Sequence, residues 1–170
     1  MPRLIRNRQI VTGDRWVFQD ADASLPQGAV DLVLPLDQYA EQREQLRESH
    51  QGRLGLVVDG TVTDDEIAPL LDELALVAID FPSFTDGRGY SLARQLRQIH
   101  GYRGELRAVG NVLRDQLAYM ERVGFDSFLL EAGRDTADAL KAFGEFSAYY
   151  QNAPLDQLPR LRRRQQMRAA

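Results

Sequence analysis

Five short apolar runs punctuate the chain, at Asp31 to Leu36, Leu54 to Val58, Leu76 to Ile79, Leu106 to Val109 and Ser127 to Leu130. Between them the apolar residues change to helical spacing. Leu92, Leu96 and Ile99 fall at i, i+4 and i+7, as do Leu113, Leu117 and Met120, so each stretch has one stripe to lay on a sheet. Ile67, Leu70, Leu71 and Leu74 form a third stripe, and Gln38 to Glu48 a weaker one suited to an edge. Thr63 and Glu66 have capping-box spacing, but Pro69 sits too deep for a regular helix, which predicts a late start or a kink. Asp135 or Thr136 caps a last helix that carries Ala139, Leu140, Phe143 and Phe146 as core.

Runs separated by the length of a strand–helix unit predict parallel strands joined by crossovers. Ahead of them, Leu4 to Val11 and Arg15 to Phe18 flank Thr12, Gly13 and Asp14, a pattern that reads as an antiparallel hairpin. The expected fold is therefore α/β, with a mainly parallel five-stranded sheet, flanking helices and an N-terminal β-hairpin. Strand spacing leaves open whether the sheet is open or curved like part of a TIM-type barrel. With 170 residues, residues 1–153 form one domain that includes the hairpin at 4–18, and residues 154–170 form a basic tail.

Composition narrows the chemistry. There is no cysteine, which excludes disulfides, thiolate metal sites and thiol catalysis from this chain's own residues; redox chemistry needs a bound cofactor, whose identity the sequence leaves unknown, or a partner. His50 and His100 each fall near the C-terminal end of a polar helix, where a solvated imidazole is the expectation. Five arginines against Asp156 give the tail +4, so a chain of −4 carries −8 on residues 1–153. An acidic body is a poor nucleic-acid binder, and the tail reads as a solvated terminus or a docking peptide for an acidic surface. No apolar stretch is long enough to cross a bilayer, and the start MPRLIRNRQIVTGDRW lacks the apolar block of a secretory signal, so a cytoplasmic location is expected.

The segment Phe81 to Arg97, FPSFTDGRGYSLARQLR, concentrates the candidate chemistry at a strand-to-helix junction. Asp86, Arg88, Tyr90, Ser91 and Arg94 surround two glycines; a curled backbone, free helix N–H groups and the Arg88 fork would suit a small oxyanion. The competing reading is that Asp80 or Asp86 pairs with Arg88 or Arg94 and clamps the loop. The segment matches neither a Walker pattern nor GxGxxG, so no nucleotide site is indicated. Carboxyl ends of parallel strands share one rim, which should gather Asp37, Asp59, Asp80, Asn111 and Glu131. Four carboxylates there could hold a hard cation, but aspartate is equally a turn and cap residue, and no metal is assigned. Arg107 interrupts an apolar strand and needs a carboxylate, with Asp80 on the preceding strand the nearest by topology; ligand contact is the alternative. Arg114 and Asp115, just past that strand, extend the same site or begin the next helix.

The blocks FPSFTDGRGYSLARQLR and GYRGELRAVGNVLRDQLAYMERVGFDSFLL resemble the signature of the bacterial domain-of-unknown-function family 934, over most of Ala75 to Leu130. Members are described as oxidoreductases involved in sulfite reduction because they accompany the haem subunit of assimilatory sulfite reductase. The resemblance implies a pathway and a partner, that haem subunit, but no catalytic residues. Two readings follow. One is an accessory protein of assimilatory sulfite reduction that binds the haem subunit, an electron carrier or a sulfur oxyanion. The other is a small enzyme acting on an anionic metabolite, with Arg88 and Arg107 holding the anion and Asp80 or Glu131 as general base. A receiver domain is excluded, because the last strand, SFLLE, lacks the lysine such a domain needs there and Lys141 is the one lysine in the chain.

Overall fold

The computed structural model describes residues 3–20, 25–26, 28–83 and 86–144. The basic tail and Phe146 lie outside the described residues.

All five expected strands form, within a sheet of eight. In chain order the strands are β1 Leu4–Arg6, β2 Gln9–Val11, β3 Trp16–Phe18, β4 Asp31–Pro35, β5 Leu54–Asp59, β6 Leu74–Phe81, β7 Glu105–Gly110 and β8 Ser127–Leu129. The helices are α1 Leu36–Ser49, α2 Asp64–Ile67, α3 Arg88–Gln98, α4 Leu117–Val123 and α5 Thr136–Lys141. Across the sheet the order is β2-β1-β8-β7-β6-β5-β4-β3. From β3 to β8 every pairing is parallel, and β1 is antiparallel to both β8 and β2.

The hairpin differs from the expected one. Its strands are β1 and β2, in the register Leu4 to Val11 and Arg6 to Gln9, and its turn is Asn7-Arg8, with φ of 50° and 59°. Positive φ at both central residues matches the twist of a two-residue hairpin loop, and Asn tolerates it best among residues with a side chain. Thr12-Gly13-Asp14 is not a hairpin turn at all. It leads to β3 on the far edge of the sheet, where Trp16–Phe18 runs parallel to Asp31–Val33.

That connection fixes the curvature. Flat, eight strands would separate the two edges by roughly 34 Å, whereas the five residue steps from Val11 to Trp16 reach at most about 18 Å. The sheet therefore curls, and it stays open because the edge strands β2 and β3 do not pair.

Its two faces have separate cores. Leu32, Leu34, Leu56, Val77, Ile79, Leu106 and Phe128 lie on the convex face beneath Leu92, Leu96, Leu117 and Met120 of the helices. On the concave face Trp16, from an edge strand, packs with Val33, Leu76, Ala78 and Val109. Gly89 belongs to the convex packing: a Cβ there would lie 2.8 Å from Phe81 Cζ and 3.0 Å from Ile79 Cγ2, so a side chain would push α3 off the sheet.

Local signals for the helices hold with two adjustments. Leu92 and Leu96 pack on the sheet, but Ile99, expected on the same stripe, falls past the end of α3 at Gln98 and is 68% exposed. Thr63 and Glu66 close the capping box, after which Pro69 turns the chain from the four-residue α2 into a 3₁₀ segment, Ala68–Glu73. Proline removes the N–H that a continued α-helix requires. Asp135 caps α5 by accepting hydrogen bonds from the Ala137 and Asp138 amides at 2.9 and 3.2 Å. Neither histidine is freely solvated: His50 Nε2 is buried, and His100 Nε2 lies 2.8 Å from Asp64 Oδ2.

Candidate functional site

Strands β5 to β8 deliver their carboxyl ends to one rim. There Arg3, Pro82, Gly110, Asn111, Leu129 and Glu131 line a cleft of about 670 Å³. The Asn111 amide donates to the Phe81 carbonyl at 2.8 Å, which pins the β7 exit to β6. Glu131 pairs with Arg134 at 3.3 Å on the exposed side. The cation of the cleft is Arg3, which sequence reasoning missed. Its place follows from β1 pairing with β8, an association across more than a hundred residues that no local pattern announces.

Asp80 lies beside this cleft, on the concave face. It is in register with Asp59 on β5 and Val109 on β7. Gly110 has φ of +81°, and a Cβ on it would come within 2.3 Å of Asp80 Oδ1, so the carboxylate rests directly against the glycine that lines the cleft. Burial first, and then the charge of Asp59, push the Asp80 carboxyl above its usual range. A carboxyl so disposed is a candidate proton carrier.

The glycine-flanked turn is arranged otherwise. Arg88 donates from Nε and a terminal nitrogen to the two carboxylate oxygens of Asp86, at 3.0 and 2.7 Å, and its own amide donates to Asp86 at 3.1 Å. Asp86 thus occupies the start of α3 where an external anion would sit, and the Arg88 fork holds its carboxyl at about 2. Tyr90 turns inward, with its ring 5.1 Å from Phe81 and 5.2 Å from Tyr119, and burial raises its hydroxyl pKa. Ser91 is exposed, and Arg94 pairs along the helix with Gln98 at 2.8 Å. Asp115 is exposed beyond β7.

Arg107 does not pair with Asp80. Its guanidinium is fully buried and donates to Asp14 at 2.6 and 3.2 Å and to Glu105 at 2.7 and 3.0 Å. Alternation along β6 and β7 explains this. Arg107 is in register with Ala78, two residues short of Asp80, so its side chain serves the opposite end of the concave face, where the crossover loop supplies Asp14.

The structure therefore brings together Asp80, Asn111 and Glu131 at the rim, with Asp59 beside them. Asp86 and Arg88 form their own pair, and Tyr90, Ser91, Arg94, Arg107 and Asp115 point elsewhere. Asp37 is exposed at the start of α1. The rim carboxylates do not converge as metal ligands: among the described residues, the group with ligand atoms within 4.8 Å of one another is Asp64 and Asp65, at the start of α2, with His100 just past α3. No helix among the described residues is long and apolar enough to cross a membrane.

A family model described as a bacterial protein of unknown function, DUF934, matches residues 55–161, which take in all but the first residue of β5 and every later strand and helix through α5. No curated protein matches the chain.

Proposed function

The chain belongs to the DUF934 family, and from that premise we propose that it is an accessory protein of assimilatory sulfite reduction that docks on the haem subunit of sulfite reductase by its C-terminal rim. The pathway comes from the resemblance of the Phe81–Arg97 and Gly101–Leu130 blocks. The observation that carries the docking face is the rim itself: an open cleft flanked by Asp59, Asp80 and Glu131, next to a turn whose arginine is already bound by Asp86. Such a surface recruits a cationic partner, and a free oxyanion only weakly.

The test is co-elution of the purified chain with the haem subunit at low salt. Binding should weaken steeply with ionic strength and with Asp59→Lys and Glu131→Lys, both exposed positions. A chain ending at residue 153 distinguishes the rim from the basic tail. Absence of co-elution at low salt, with sulfite reduced at an unchanged rate in cells lacking the chain, would sink the proposal.

Asp80 favours a second reading, a small enzyme acting on an anionic metabolite. Its raised pKa suits a general base, and Arg3 and Asn111 would orient the substrate in the cleft. Turnover of any anionic metabolite that disappears in Asp80→Asn would select this alternative.

A further inference from the structure

The opposite end of the curled sheet holds a second cavity, of about 340 Å³, lined by Arg6, Gly13, Asp14, Arg15, Trp16 and Arg53. We propose that it is a binding site for a small oxyanion of the sulfate or phosphate class. It lies at the other end of the curled sheet from the rim cleft and does not rest on the reading given above.

Charge makes the first part of the case. Around the cavity stand four guanidinium groups, Arg6, Arg15, Arg53 and the buried Arg107, against three carboxylates, Asp14, Asp31 and Glu105. The excess of one cation occurs in a chain whose formal net charge is −4. Each carboxylate is already engaged. Asp14, although it lines the cavity, accepts from Arg107 at 2.6 and 3.2 Å; Glu105 is held chiefly by Arg107; Asp31 accepts from the Arg53 amide at 3.0 Å and from its guanidinium. Arg15 forms no ion pair among the described residues, and Arg6 has only a 3.5 Å contact to Glu105. Arg53 stacks over Trp16, 4.9 Å from the ring centre, which leaves part of its fork unused.

A buried donor makes the second part. Trp16 is only 6% exposed, and its indole Nε1 has no hydrogen-bond partner among the described residues. Indole N–H can only donate, so it needs an acceptor, and a buried donor without one is costly. Water would satisfy the indole N–H but not the surplus cation. An oxyanion does both, offering several acceptor oxygens to guanidinium and indole N–H groups together.

The chain has one tryptophan, so the indole N–H gives a single resonance in a ¹⁵N–¹H correlation spectrum. Titration with sodium sulfate and sodium phosphate, against sodium chloride at matched ionic strength, should move it downfield along a saturating curve. Arg15→Gln and Arg6→Gln, both at exposed side chains, should each weaken the midpoint by roughly tenfold while leaving anion-free thermal unfolding unchanged. A parallel titration with glycerol phosphate distinguishes inorganic anion from phosphorylated metabolite, and saturation by either supports the site. Shifts identical to those in chloride, or titrations that the arginine variants leave unaltered, would overturn it. Trp16→Phe, read by anion-dependent melting, keeps the test decisive if the resonance is broadened: stabilisation equal to that of the parent chain would also overturn the site.

Discussion

Arg107 and Asp14 are joined by two hydrogen bonds, 2.6 and 3.2 Å long, across 93 residues of sequence, and so tie a central strand to the loop that links the two edges of the sheet. The guanidinium has no exposure, whereas the Asp14 side chain keeps about a quarter of its own. Removing the acid leaves a buried cation with Glu105 as its sole partner. We expect Asp14→Ala to destabilise the fold by about 3 kcal/mol, the lower end of the range for breaking a buried pair. Arg107→Met removes the buried charge itself and should cost less, because Glu105 can turn to Arg6. Urea midpoints at unchanged m-value measure both, and a larger loss for Arg107→Met would contradict this assignment.

Gly110 keeps the cleft and Asp80 in contact. A side chain there meets two obstacles, the positive φ of +81° and a Cβ position 2.3 Å from Asp80 Oδ1. Gly110→Ala should therefore destabilise by roughly 1–3 kcal/mol and also displace the Asp80 carboxylate, which chemical shifts of that group would register. Gly87→Ala, at negative φ with nothing within 4 Å, is the control and should be nearly neutral.

How much of this was legible in the sequence follows from which contacts are local. The strands β4 to β8 stand within a residue or two of the apolar runs that announced them, and the capping residues Thr63 and Asp135 do what their spacing implies. Three-residue strands at the edges carry too little pattern, so β2 and β3 read as one hairpin although they lie at opposite ends of the sheet. The strand-end rule found Asp80, Asn111 and Glu131, but not Arg3, whose position depends on the β1–β8 pairing. Arg107 stood out as an anomaly, yet its partner could not be found by strand adjacency, because Asp14 reaches it through the curl. The glycines around Arg88 suggested a ligand loop, whereas Gly89 is needed for the contact of α3 with Phe81.

The Asp86–Arg88 pair makes a separate prediction. Asp86 now serves as the anion at the start of α3, so Asp86→Ser should free the Arg88 fork and expose the turn to solution anions. Sulfate should then stabilise the variant more than the parent chain, by an increment that Arg88→Gln removes from the double variant. Linkage gives the sign for the parent chain: the Asp86 carboxyl is depressed to about 2, so its contribution is present above the ordinary aspartate value and fades as pH falls toward 2. Melting curves of parent and variant should converge in that acid window.

Asp80 titrates in the opposite sense. Burial and the charge of Asp59 raise its folded-state pKa, so the folded chain holds that proton more tightly than the unfolded chain does. Its favourable contribution is complete below the ordinary aspartate value and is lost as pH rises through the raised one; at neutral pH the ionised carboxylate is a net cost. Asp80→Asn, which removes the charge and keeps the shape, should therefore melt higher than the parent chain at pH 7, and the gap should shrink as pH is lowered through the carboxylate range. Asp59→Asn should lower the Asp80 titration midpoint, followed by the side-chain carbonyl resonance, because one of its two causes is gone. A melting temperature for Asp80→Asn below that of the parent at pH 7 would mean that the ionised carboxylate is held by a stabilising partner, and the proton-carrier role would lose its basis.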